Sequence, residues 1–323
     1  MNLKEIKAPV DEHMKAFESL FRDSMKSSIP LLNTITRFII KRKGKQMRPL
    51  FVFFSAELFS GINQRTYRAA TLIEMLHTAT LIHDDVVDDS NERRGFFSLN
   101  AIWKNKISVL VGDFLLSRGL LLSLENDDFD LLKIVSHSVR EMSEGELLQI
   151  EKARTLDIKE SVYFDIIRKK TASLIASCLA SGTASTGASP EQIEKMRQIG
   201  EKIGIAFQIK DDILDFDTSR AKGKPSAVDI KERKMTLPLI YLINNATYAE
   251  KRQIINIVKN HNTDREKVAW LIQQVTEKGG IDYAVQKMTQ YRNEALEMLQ
   301  EMPEKPAKES LRQLIDFTID RKI

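Results

Sequence analysis

Apolar residues recur at helical spacing along nearly the whole 323-residue chain. Residues 12–26 and 29–42 read as two amphipathic helices parted at Ile29-Pro30. The stretch PLFVFFSAELFSG starts a third helix at Pro49, which a first turn tolerates, and stops near Gly61. From Gln64 to about Ser90 the pattern predicts one long helix. Its middle, AATLIEMLHTATLIHD, is apolar on nearly every face, as in a helix enclosed by a bundle. Long helices are also predicted over 100–123, 128–153, 159–187 and 190–217, and shorter ones over 235–246, 248–260, 263–278, 280–301 and 306–321. No linker-like shift in composition divides them, so the expectation is one all-α domain spanning 1–323. The one long irregular stretch, DTSRAKGKPSAVDIKERKM (217–235), is polar and lysine-rich; a loop of that length between apolar helices is a functional candidate.

Composition supports the helical reading, because 13 Gly and 8 Pro are too few for a fold built on many tight turns. With 49 basic residues against 45 acidic ones the net charge is only +4, which carries no nucleic-acid signature. The N-terminal MNLKEIKAPVDEHMK has no apolar signal region, and apolar runs such as ISVLVGDFLL are broken by charge. No transmembrane segment and a cytoplasmic location are therefore expected. The lone cysteine, Cys178 in LIASCLASG, excludes an internal disulfide and reads as a buried structural thiol.

Charge becomes informative at two places. Asp84, Asp85 and Asp88 fall late in the long apolar helix, with Asp84 and Asp88 about one turn apart on one face. Like charges there, at the negative end of the helix dipole, need a cation. Asp211, Asp212 and Asp215 repeat the pattern late in the 190–217 helix. Carboxylates without His or Cys partners suit Mg²⁺, which takes one or two of them and fills its shell with water and substrate phosphate oxygens. Donors for phosphate are available in Lys45 and Arg48, Arg93 and Arg94, Lys170 and Thr171, and Lys224 and Lys234. Acidic metal sites, phosphate donors and an apolar bundle interior together imply a phosphorylated, greasy substrate. Glu74-x-x-His77 has the spacing of a di-iron bundle ligand pair, but no second such pair exists in the chain.

The motifs GKQMRP (44–49), EMLHTATLIHDDVVDDSNERRG (74–95), VGDFLLSR (111–118), KKTASLI (169–175), GIAFQIKDDILDF (204–216) and GKPSAVDIKERKMTLP (223–238) stand in one order along the chain. In that order the chain resembles the trans-isoprenyl diphosphate synthase (polyprenyl synthetase) family from residue 44 onward. The resemblance implies an isoprenoid-synthase-type helical bundle around a central elongation cavity, a homodimer with the N-terminal helices of 1–43 as a candidate part of its interface, and head-to-tail condensation of isopentenyl diphosphate with an allylic diphosphate primer. It implies three Mg²⁺ ions bound with the allylic diphosphate, held by Asp84, Asp85 and Asp88 on one side and by Asp211, Asp212 and Asp215 on the other. It further implies that Arg93, Lys170, Thr171, Gln208, Lys224 and Lys234 contact the allylic diphosphate. Lys45, Arg48, His77 and Arg94 would hold isopentenyl diphosphate.

Two departures from the family pattern concern loops: GFFSLN follows the arginines where Pro-Thr is usual, and Ala227 replaces the glycine of GKPxGxD. Neither removes a ligand. In this family product length follows the residues upstream of the first aspartates, and here Ala79 and Thr80 lack the aromatic block of short-chain enzymes, with Leu76 and Ile73 next along the helix. The expected product is a long-chain polyprenyl diphosphate of quinone side-chain type, with octaprenyl as the specific expectation. The competing readings are a shorter-chain farnesyl or geranylgeranyl diphosphate synthase, a non-catalytic subunit of a heteromeric prenyl synthase, and a class I terpene cyclase.

Overall fold

A computed structural model describes residues 2–41, 44–88, 92–93, 96–156, 159–216 and 228–319. The described residues are overwhelmingly α-helical, as the periodicity predicts. The first helices are α1 (Leu3–Lys7), α2 (Asp11–Ser24), α3 (Pro30–Lys41), α4 (Met47–Glu57), α5 (Gln64–Val87) and α6 (Leu99–Leu124). Then come α7 (Phe129–Thr155), α8 (Glu160–Ile167), α9 (Ser173–Ala184), α10 (Pro190–Asp215) and α11 (Val228–Lys231). The last are α12 (Leu237–Asn244), α13 (Tyr248–Asn260), α14 (Arg265–Glu277), α15 (Gly280–Gln300) and α16 (Pro306–Ile319). A minimal antiparallel pair, β1 (Glu92–Arg93) and β2 (Phe96–Phe97), joins Glu92 to Phe97 and Arg93 to Phe96.

The chain gathers into two compact units. Unit 1 comprises Met1–Val139, Ser177–Arg197 and Met302–Leu311; unit 2 comprises Arg140–Ala176, Gln198–Glu301 and Arg312–Ile323.

In unit 1, α5 is the central rod. Asn63 caps it reciprocally: its side chain accepts from the Thr66 amide at 3.2 Å, and the Thr66 hydroxyl accepts from the Asn63 amide at 3.2 Å. The Asn63 side-chain amide also donates to the Ser185 carbonyl at 3.0 Å, tying the helix start to the end of α9. Beyond the cap, α5 buries residues on several faces, among them Leu72, Ile73, Met75, Leu76, His77 and Ala79. Helix α6 approaches it closely at Gly119, where an added Cβ would lie 3.3 Å from Leu72 Cδ1 and 3.6 Å from Leu76 Cδ2. Ala79 belongs to an apolar cluster with Met25, Ile35, Met75, Ile82, Leu99, Val111 and Leu115. Helix α4 is buried from Pro49 through Ala56.

In unit 2 the short α12 is the apolar centre, with Leu237, Leu239, Ile240, Leu242 and Ile243 buried. Gly280 lets α15 start against it, since a Cβ there would come within 2.6 Å of the Pro238 carbonyl oxygen. Tyr241 stacks on Tyr283 at 4.5 Å, and the Tyr283 hydroxyl donates to Glu160 at 2.7 Å.

Several boundaries differ from the periodic reading. Helix α4 begins at Met47 rather than Pro49, so Arg48 lies in its first turn. Helix α5 ends at Val87, with Asp88 as its C-cap rather than inside it. The continuous helix predicted over 159–187 is interrupted by a π-turn, Arg168–Ala172, which separates α8 from α9. The N-terminal segment adds α1 and a 3₁₀ turn, Ala8–Val10, before α2. Most of the predicted loop, residues 217–227, lies outside the described residues, and α11 follows it. Helix α6 is long and apolar enough to span a membrane by length and composition, a test that core helices of soluble bundles also pass. Within α6, Arg118 donates to the Ser24 carbonyl at 2.9 Å.

Replacing Asn63 with Ala removes both the cap and the tie to Ser185. The expected loss is about 1–2 kcal/mol of stability, read as a lower denaturant midpoint with an unchanged m-value.

Candidate active site

The acidic end of α5 is built by the helix itself. Asp84 and Asp88 are exposed, Asp85 is buried, and the Asp88 amide donates to the Asp84 carbonyl at 2.8 Å, closing the last turn. On the same helix Ile73, Leu76, His77 and Ala79 are buried and Thr80 is half-buried, its hydroxyl donating to the His77 carbonyl at 2.9 Å. Lys45 is exposed just ahead of α4, and Arg48 is half-buried. Burial pushes the Cys178 thiol up to about 12, with Arg48 opposing and Glu74 reinforcing the shift, so Cys178 is no nucleophile near neutral pH. Arg93 is in β1, five positions after Asp88. Arg94 and Lys224 lie outside the described residues, as do the side chain of Arg93 and the position of Ala227.

Unit 2 holds a polar cavity lined by Gln149 and Ala153 of α7, Tyr163, Ile166 and Ile167 of α8, Lys170 and Thr171 of the π-turn, Gln208 and Asp212 of α10, Asp229 of α11, and Lys234, Met235 and Thr236. Five residues expected from the sequence to serve the diphosphate or its metal therefore meet in one place: Lys170, Thr171, Gln208, Asp212 and Lys234. Two glycines set the π-turn that carries the first two. A Cβ on Gly145 would fall 2.7 Å from the Lys170 backbone nitrogen, and one on Gly204 would fall 2.4 Å from Ala172 Cα. The turn is thus held between α7 and α10 at backbone distance.

The polar groups form a directed chain. The Thr171 hydroxyl donates to Gln208 Oε1 at 2.7 Å, and Gln208 Nε2 donates to Asp212 Oδ1 at 2.9 Å. From the other side the Tyr163 hydroxyl donates to Asp212 Oδ2 at 2.7 Å. Lys170 pairs with Glu146 and donates to Gln149 at 2.7 Å, while Lys234 pairs with Glu232 and lies 3.8 Å from Asp229. Asp215 accepts the backbone amides of Val228 and Asp229, each at 3.0 Å, and so caps α11. Asp211, half-buried, is beside Asp212 on the last turn of α10.

Two of the cavity's acids, Asp212 and Asp229, are poorly compensated. Burial raises Asp212 to about 7, with the charges of Asp229 and Asp211 adding and the hydrogen bonds from Tyr163 and Gln208 opposing. Burial and then the Asp215 charge raise Asp229 to about 6, against Lys234. Among the described residues no three His, Cys, Asp or Glu groups close on one point as a ready-made metal nest. A hard cation arriving with phosphate oxygens needs only one or two carboxylates, and an all-oxygen donor set with an unmet demand for positive charge fits it.

Sequence reasoning passed over Tyr163, Gln149 and Asp229. Asp229 ends the quoted GKPSAVD stretch and was visible there; Tyr163 and Gln149 carried no signal beyond helical periodicity.

The fold defines a class: an all-α protein of the isoprenoid synthase fold. The family profile described as polyprenyl synthetase matches residues 29–275. An all-trans-nonaprenyl-diphosphate synthase (geranyl-diphosphate specific) from Rhodobacter capsulatus is 36% identical, with 98% of each chain covered. The octaprenyl diphosphate synthase of Escherichia coli is 30% identical over 99% of each chain, and a geranylgeranyl diphosphate synthase from Saccharolobus solfataricus is 30% identical over 93% of each. The crystal structure of a decaprenyl diphosphate synthase from Rhodobacter capsulatus superposes with a TM-score of 0.94 at 31% identity, covering 99% of both chains. The chain belongs to the polyprenyl synthetase family and is an enzyme, a trans-prenyl diphosphate synthase.

Raised carboxyls hold protons in the folded state that the unfolded chain has already released, so their contribution to stability falls as pH rises from about 4 to about 7. The melting temperature of the ligand-free protein should decline across that window, and Asp212→Asn should flatten the decline. A profile equally steep in the variant contradicts the assignment.

Proposed function

We propose that this enzyme condenses isopentenyl diphosphate head-to-tail with an allylic diphosphate primer, in the presence of Mg²⁺, to make a long-chain all-trans polyprenyl diphosphate, with octaprenyl as the product. The observation that carries the reading is the run Thr171–Gln208–Asp212, flanked by Lys170 and Lys234 around one cavity. Asp211, Asp212 and Asp215 of unit 2, and Asp84, Asp85 and Asp88 of unit 1, are the residues that would hold Mg²⁺, which when bound would neutralise the diphosphate as it departs. Three ions remain the expected number.

Lys170 and Lys234 bind the diphosphate of the primer and stabilise the charge that develops on it as the C–O bond breaks. To do so Lys170 exchanges Glu146, its present partner, for a more highly charged anion. Thr171 Oγ1 and Gln208 Oε1 present their dipoles toward the allylic cation. C4 of isopentenyl diphosphate then attacks C1 of that cation, and a proton from C2 passes to the released diphosphate. Arg48 and His77, with Lys45 and Arg94, hold the second substrate; Arg93 and Lys224 serve the first. Ile166 and Ile167 of the cavity wall keep water from the cation.

The long-chain reading rests on α5. Ala79 is small and fully buried in an apolar cluster, and no aromatic residue stands at 79 or 80. The nonaprenyl and octaprenyl relatives support it, and the geranylgeranyl relative keeps a shorter product as the alternative outcome. We further propose a homodimer, a single catalytic domain and a cytoplasmic enzyme. Ile6, Val10, Met14 and Phe17 of the N-terminal helices are buried within unit 1, whereas α6 exposes Val109, Leu110, Leu120, Leu121 and Leu124. That exposed apolar row supports α6 as the contact between copies.

Purified enzyme given Mg²⁺, isopentenyl diphosphate and an allylic primer should release long-chain products by chromatography. Ala79→Phe should shorten them while the first condensation persists. Termination at farnesyl or geranylgeranyl diphosphate in the wild type contradicts the long-chain reading; no elongation at all favours a non-catalytic subunit. Light scattering should give twice the chain mass, and Leu121→Asp should shift it toward one chain.

A further inference from the structure

Tyr163 has no place in the motifs that identify the site, yet its environment is specific. It is 4% exposed, in the middle of α8, and its ring packs edge-on against Phe164 at 5.3 Å. The hydroxyl reaches Asp212 Oδ2 at 2.7 Å. A phenol has one hydrogen, and an ionised carboxylate has none to offer, so in the ionised state that receives a cation Tyr163 is the donor. Gln208 Nε2 donates to the other oxygen of Asp212; the ionised carboxylate, an acceptor only, sets that end of the amide toward itself and leaves Oε1 for the Thr171 hydroxyl. Asp212 is consequently pinned at both oxygens by donors from two different elements, α8 and α10. Each oxygen keeps a lone pair for a cation.

We propose that Tyr163 is a positioning residue for the metal–diphosphate site: its buried hydroxyl fixes the Asp212 carboxylate in the orientation in which it receives a divalent cation. This rests on the proposed function. Tyr163 touches neither substrate nor reacting atoms; it acts through Asp212. Groups that orient a ligating carboxylate typically change metal affinity by 10–100-fold when removed. The phenylalanine variant keeps the ring and its contact with Phe164, so packing is retained while the donor is lost.

The test is Mn²⁺ binding followed by electron paramagnetic resonance in the presence of inorganic diphosphate, on wild type, Tyr163→Phe and Phe164→Leu, with thermal melting of each. The Mn²⁺ dissociation constant should rise about tenfold or more in Tyr163→Phe and stay near the wild-type value in Phe164→Leu, which perturbs the same helix without touching Asp212. In turnover, the Mg²⁺ concentration for half-maximal rate should rise in Tyr163→Phe while KM for isopentenyl diphosphate holds. As a measurement independent of any variant, adding Mg²⁺ with diphosphate to the wild type should perturb the ultraviolet difference spectrum of a buried tyrosine. Wild-type Mn²⁺ affinity in Tyr163→Phe, or equal weakening in Phe164→Leu, overturns the role of Tyr163 and leaves the site intact. A wild type that binds no Mn²⁺ with diphosphate overturns the site reading itself, and the proposal with it.

Discussion

A carboxylate taken out of water must recover its lost hydration from fixed donors or from a cation, and otherwise it stays protonated. Asp212 is placed under that constraint by the apolar helices that enclose it. Two donors, Tyr163 and Gln208, restore part of what water supplied, but the charges of Asp229 and Asp211 work the other way, and the carboxyl remains near 7. The lysines of the cavity do not close the gap, because each is already paired with an acid of its own: Lys170 with Glu146 and Lys234 with Glu232. The site is therefore balanced for something that brings positive and negative charge together. A divalent cation arriving with a diphosphate would do so under the proposed function: the aspartates would hold the cation, and the lysines would turn from their present partners to the phosphate oxygens.

The supporting structure follows from the need to hold this balance rigidly. The π-turn presents Lys170 and Thr171 to one cavity, and it is kept in place by Gly145 and Gly204, where any side chain would collide with its backbone. Asp215, expected to bind metal, accepts in this structure the first two backbone amides of α11, the element that carries Asp229 and leads to Lys234. Its carboxylate thus couples the end of α10 to the acids and bases across the cavity. Each of its oxygens accepts a single amide, so a cation and the cap are compatible.

The sequence made the helical class, the order of the long helices and five polar residues of the cavity legible, because aspartates late in apolar helices and a Lys-Thr pair inside an apolar run are costly unless used. The family resemblance then attached roles to them. What stayed hidden had physical reasons. Tyr163 reads as an ordinary core aromatic, and nothing in its own helix announces a partner 49 residues away. The π-turn, RKKTA, contains no Gly or Pro to mark a break, so the helical reading ran through it. The two-residue strand pair after the aspartates is too short to leave an alternating pattern. Helix ends moved by two or three residues at α4 and α5, which put Arg48 inside a first turn and Asp88 on a C-cap.

The central claim is that the buried acids of unit 2 await a cation and a diphosphate together, and calorimetry tests it directly. Mg²⁺ should bind weakly to the protein alone, and inorganic diphosphate should bind weakly alone. The two together should bind tightly, with protons released into the buffer between about pH 6 and pH 7 as Asp212 and Asp229 ionise. Mg²⁺ binding equally tight without diphosphate, or joint binding with no proton release, would contradict it.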